Sequence, residues 1–189
     1  MDTKDGALPQ QSAQNELYGI KGWLILVAIG VVVAPIRLAL IYVPLYYGIF
    51  TDGTFTVLTS VDSEAYHPLW GPLLIGEALF NTAMFLASAC LMVLMFMKHH
   101  WFPKLFIIIT VTSVVFIPFD AWLASFVLVD EPIFDADTTK EFARSVIATV
   151  IWVPYMLKSE RVKVTFAKRT APQSLPIAIT APKVYLQQK

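Results

Sequence analysis

Residues 105–129, LFIIITVTSVVFIPFDAWLASFVLV, form a 25-residue apolar run whose only charge is Asp120, placed just behind Pro118. A helix of about 20 such residues crosses a bilayer. A carboxylate in the middle of a span costs roughly 2.5–3.5 kcal/mol on insertion scales, so Asp120 needs a polar partner from elsewhere in the chain. Three more runs of the same kind can supply it. The chain is 57% hydrophobic and 15% charged, where soluble domains carry about a quarter charged residues. The reading is an all-α integral membrane bundle of four transmembrane helices, at about 23–49, 72–97, 105–129 and 139–157 within a domain over 22–158. A polar N-terminal tail (1–21) precedes it, without the basic n-region and cleavage site of a signal peptide. A basic and then flexible C-terminal tail (159–189) follows.

Orientation follows from the distribution of Lys and Arg. On one side lie Lys4, Lys21, Lys98, Lys104 and the seven basic residues from Lys158 to the C-terminus, eleven in all. The other side holds Lys140 and eight acids, Asp52, Asp62, Glu64, Asp130, Glu131, Asp135, Asp137 and Glu141. The positive-inside rule then puts both termini in the cytoplasm. Tyr46, Tyr47, Tyr66 and Trp70 are placed in the outer aromatic belt. Between the first two spans, Asp52-Gly53 signals a turn, and the alternation in TFTVLTSV suits a short strand. Thr138-x-x-Glu141 reads as a capping box opening the fourth span. Residues 158–169, KSERVKVTFAKR, are expected along the membrane surface, with Arg161, Lys163, Lys168 and Arg169 contacting anionic lipid.

The other spans each contain an internal charge, Arg37, Glu77 and Arg144. At about 1.5 Å of rise per residue, Arg37 and Arg144 lie roughly 21 Å from the cytoplasmic ends of their helices, and Asp120 roughly 24 Å. Glu77 falls one to two turns further out. The economical arrangement is one intramembrane network in which Asp120 bridges Arg37 and Arg144. Polar neighbours share its faces: Asn81, Met84 and Ser88 follow Glu77 at helical spacing, and Ser113 precedes Asp120 by two turns. Gly30 and Ala34, on the face of Arg37, are expected to let a neighbouring helix approach. VVVAPIRLAL (31–40) and VVFIPFDAWL (114–123) are faintly alike, as duplicated hairpins would be.

The remaining motifs exclude more than they assign. Walker A, GxSxG, HExxH and dinucleotide fingerprints are missing from the sequence. His99 and His100 lack the spaced ligands of a metal set, and His67, with Asp62 and Glu64 nearby as a weaker divalent-ion alternative, reads as a turn residue before Pro68. No catalytic residue, metal or cofactor is expected, and nucleic acid is not an expected partner. The single cysteine, Cys90, reads as inert filler within an apolar run.

Residues 19–38, GIKGWLILVAIGVVVAPIRL, and 151–166, IWVPYMLKSERVKVTF, carry a family pattern. Its specific parts are Gly22-Trp23, Pro35-x-Arg37, Trp152-x-Pro154-Tyr155 and Ser159-x-Arg161-Val162. Over roughly residues 19–166 the chain resembles the YdgK-like family of four-helix bacterial inner-membrane proteins, a domain-of-unknown-function family. The resemblance implies a tetraspan inner-membrane protein and no established activity. Two functions fit. The leading one is a non-enzymatic accessory component that associates with lipid, another membrane protein or a second copy of itself, its charge cluster a dry structural network. The alternative is a small transporter or a protein binding an anion or lipid headgroup at Arg37, Glu77, Asp120 and Arg144. Water reaching Asp120 separates the second from the first.

Overall fold

The computed structural model describes residues 17–128 and 132–167. Among them are six helices and no strand: α1 (Trp23–Thr51), α2 (Thr54–Thr59), α3 (Trp70–Phe96), α4 (Phe102–Ala124), α5 (Ala136–Lys158) and α6 (Glu160–Thr165). Three of these, α1, α3 and α4, are long and apolar enough to cross a membrane. Helix α5 matches α4 in length at 23 residues, but Asp137, Lys140, Glu141 and Arg144 make its first half polar.

The long helices alternate in direction and pack in sequence, α1 on α3, α3 on α4, and α4 on α5. The two ends of that series, α1 and α5, have no comparable interface. One end of the bundle is closed. There Leu24, Val27 and Val31 of α1 meet Leu91 and Met95 of α3, Phe102 of α4, Met156 of α5, and Val162 and Phe166 from the C-terminal segment. The Phe102 and Phe166 rings stack with centroids 4.4 Å apart. The Gly19 amide donates to the Thr165 hydroxyl at 3.1 Å, tying the two ends of the described chain together. The opposite half has few buried side chains. Outward faces are apolar throughout; on α1, Ile29, Val33, Ile36, Leu40, Val43 and Tyr47 recur every three or four residues and are all exposed. A stripe of that size on each long helix is a surface made for a non-aqueous neighbour.

Local chemistry sets the connections. Helix α3 ends in a Schellman motif: the His99 amide donates to the Leu94 carbonyl at 2.9 Å, and the Lys98 amide to Met95 at 3.0 Å. Lys98 occupies the left-handed position at φ 50, and its ammonium lies 4.1 Å from the centre of the Tyr18 ring. Helix α1 passes through Pro35 and Pro44 without interruption and stops at Asp52, followed by Gly53 at φ 90. The Asp52 carboxylate accepts from the Thr54 amide at 2.8 Å and starts α2.

Several expectations are corrected here. TFTVLTSV is the helix α2 rather than a strand, because a lone strand would have no ladder partner while Asp52 offers a helix start. The cap of α5 is Asp135, whose carboxylate accepts from the Thr138 amide at 2.7 Å; Thr138 lies inside the first turn and Glu141 points elsewhere. Gly30 is exposed, with open space where a Cβ would stand, so no helix packs on it. Residues 160–166 are not confined to a surface position: Val162, Thr165 and Phe166 are buried under the closed end. Residues 1–16, 129–131 and 168–189, including Lys168, Arg169, Asp130 and Glu131, lie outside the described residues.

Two outcomes follow from this packing. Phe102→Ala should destabilise the fold by about 3–5 kcal/mol in detergent unfolding, whereas Val115→Ala on the outward face should stay within about 0.5 kcal/mol. The Thr138 amide bond holds the exposed Asp135 carboxyl below its ordinary 3.8. A lowered folded-state pKa means that the cap's contribution is complete above 3.8 and is lost as pH falls through the lower folded value. The Thr138 amide resonance should therefore shift only in that acid range.

Candidate binding groove

Because α1 and α5 do not close on each other, the half of the bundle away from the packed end holds a groove of about 730 Å³. All four long helices line it. From α1 come Ala34, Arg37, Tyr42 and Tyr46, and from α3 Glu77, Asn81 and Met84. Helix α4 supplies Thr110, Ser113, Ile117, Asp120 and Ala124, its whole polar stripe. Helix α5 supplies Glu141, Arg144 and Ser145.

The four intramembrane charges expected to form one site thus border a single groove, but their pairing differs from the expected one. Arg37 and Arg144 both turn to Glu141, not to Asp120. The Arg37 guanidinium donates to Glu141 Oε1, and Arg144 Nη1 lies 3.6 Å from the same oxygen. Glu141 wins on position. It sits three residues before Arg144 on the same helix face, where such pairs meet without cost in backbone rearrangement, and it faces Arg37 across the gap. Since the side chains of Arg37 and Glu141 are 44% and 43% exposed, their bond is a solvated strap between α1 and α5.

Asp120 instead meets Glu77. The two carboxyl groups lie within electrostatic reach of each other across the α3–α4 packing. Two carboxylates held that close repel, so a proton or a cation between them relieves the repulsion. Among the described residues neither is within ion-pair distance of a basic group. Around them, Asn81 Nδ2 donates to the Tyr46 hydroxyl at 2.8 Å and to the Glu77 carbonyl at 3.1 Å. Tyr42 and Tyr46 line the groove with them, their rings stacked with centroids 5.9 Å apart.

Other expected site residues are more scattered. The Ser113 hydroxyl returns to the Ile109 carbonyl at 3.0 Å while lining the groove. Ser88 is buried below the groove and donates to the Phe85 carbonyl at 2.8 Å. Arg161 donates to the Leu17 carbonyl at 3.3 Å, and Lys163 pairs with Glu160 at 2.7 Å. Glu141, Tyr42 and Tyr46 had no place in the expected site. The spacing Glu141-x-x-Arg144 was the available signal for the first. Tyr46, grouped with Tyr47 by sequence, turns inward to Asn81 while Tyr47 stays outside.

Residues 17–167 match a family described as "Protein of unknown function (DUF2569)". The chain belongs to that family. The matched span contains every long helix and the whole groove. No curated protein and no solved structure matches the chain.

Removing the strap tests the geometry. Glu141→Gln should lengthen or broaden the distance between spin labels on the outward positions Leu40 of α1 and Ile147 of α5. An exposed pair contributes about 0.2–1 kcal/mol, so the change should be a population shift of up to about fivefold, with the fold retained.

Proposed function

We propose that this protein is a non-enzymatic binding protein of a bacterial inner membrane, whose groove takes a small amphiphilic ligand as a receptor or as part of a small transporter. The observation that carries the reading is the groove itself. It is a cavity of ligand size, lined by ionisable residues from all four long helices at a depth where lipid would otherwise lie.

The arrangement proposed is a four-span bundle with both termini cytoplasmic. Three spans are long and apolar enough by themselves. The fourth would be α5, about 35 Å long at the helical rise. Its polar first half faces the groove, while Ile147, Val150, Ile151 and Leu157 are exposed. Its neighbours supply the rest of a membrane environment. The orientation is supported by Lys21, Lys98, Lys104 and Lys158, which all flank the closed end, while Asp52, Asp135 and Asp137 flank the groove end. On the positive-inside rule the groove opens outward. The YdgK-like resemblance of residues 19–38 and 151–166 supports the same inner-membrane tetraspan arrangement. An accessory role resting on a dry network needs every charge paired. Among the described residues no basic group pairs with Glu77 or Asp120, which favours the binding reading, with lipid as a companion or occupant of the groove.

Accessibility of residue 120 tests it. A single cysteine at 120 in a Cys90→Ala background should react with a small membrane-impermeant thiol reagent added from the outer side, and Ser113→Cys, two turns deeper, should react more slowly. Protection of a folded Asp120→Cys protein would sink the reading and return the cluster to a structural role.

A further inference from the structure

The groove's charge pattern selects among ligand classes, and the choice rests on the reading of the groove as a binding site. Two arginines line it against five acids, Glu77, Asp120, Asp135, Asp137 and Glu141. The arginines are already engaged, both on Glu141. Asp135 is occupied as the cap of α5. Among the described residues Glu77, Asp120 and Asp137 have no basic group within ion-pair distance. Asp137 is exposed on the first turn of α5, whereas Glu77 and Asp120 line the groove together, beside the Tyr42 and Tyr46 rings and the apolar surfaces of α3 and α4.

We infer that the groove binds a lipophilic organic cation, held by charge at Glu77 and Asp120 and by its apolar body against the tyrosines and the walls of α3 and α4. The complementarity works at both ends of such a ligand. Its charge supplies the partner that the two carboxyls lack, and a low-dielectric wall strengthens that attraction relative to water. Aromatic faces add a cation–π contribution, about 0.5–2 kcal/mol at such sites. An anion would have to compete with Glu141 for both guanidinium groups and would meet the excess negative charge besides.

Binding also moves a proton. Without a cation, a proton shared between the two carboxyls relieves their repulsion. A cation seated between them takes its place, and the proton leaves to bulk water through the open end. The groups facing the pair are Arg37, Tyr42 and Tyr46 from α1, Asn81 from α3, and Glu141 and Arg144 from α5. Of these, Arg37, Glu141 and Arg144 satisfy one another, which leaves the proton on Glu77 and Asp120 as the one the ligand displaces. Because proton and cation compete, affinity should rise with pH.

The test uses tetraphenylphosphonium and tetraphenylborate, which match in size and differ in the sign of charge, with the full chain in lipid nanodiscs and equilibrium dialysis as the readout. The phosphonium should bind more tightly than the borate and release protons into lightly buffered solution. Glu77→Gln and Asp120→Asn should each weaken it at least about tenfold, the equivalent of about 1.4 kcal/mol, while Glu77→Asp, which keeps the charge, should retain most of it. Phosphonium binding that ignores both neutralising substitutions would overturn the inference. Preferential borate binding that depends on Arg37 or Arg144 would overturn it too, while leaving a ligand-binding groove in place. If neither probe binds although a cysteine at 120 is labelled from outside, the cation class is wrong and the accessible groove stands. If that cysteine is protected as well, the binding reading itself has failed.

Discussion

A charged side chain within a membrane must exchange its hydration for partners carried by the same protein, and those partners sit on other helices. That constraint organises this molecule. Arg37 on α1 depends on Glu141 on α5, and Glu77 on α3 depends on Asp120 on α4. Each contact crosses a different gap. The second lies where two helices already pack closely; the first spans the place where they do not. The groove exists because α1 and α5 are held by a polar strap rather than by interdigitated apolar side chains.

The division of the bundle into a packed end and an open end follows from the same logic. Leu24, Met95, Phe102, Met156 and Val162 fill the closed end at high burial. Once α6 folds under it, that end is a small conventional core with an aromatic stack and a hydrogen bond between the chain ends. The groove end places Glu77, Asp120, Asn81, Tyr46 and Arg37 where a core would otherwise continue. Polar groups take the place of interdigitated apolar side chains there, so packing in that half gives way to a cavity. A rigid base beneath a cavity of about 730 Å³ lets a modest strap move without loss of the fold.

Much of the candidate site was legible residue by residue, because cost and periodicity leave a mark. Asp120, Glu77, Arg37 and Arg144 stand out as charges in apolar runs, and Thr110, Ser113 and Ile117 share a helical face with Asp120. Pairing was not legible. Helical rise gives depth along each axis but not rotation about it, nor the reach of a long side chain. Arg37 and Arg144 were therefore assigned to the nearest carboxylate in depth, Asp120. Glu141 was discounted as part of a cap, and its true role depends on α5 beginning a turn earlier, at Asp135.

The sequence by itself determined that the chain is helical and that the runs now seen as α1, α3 and α4, three of the four expected spans, are long and apolar enough to cross a membrane, since both depend on local composition and repeat. It also determined which few ionisable residues would need partners. Only the tertiary structure decided who those partners are, that α1 and α5 stand apart, and that Val162, Thr165 and Phe166 pack under the base. Those outcomes depend on helix rotation and on contacts between segments more than 100 residues apart, such as Arg37 with Glu141 and Gly19 with Thr165. Local hydropathy carries no information about either.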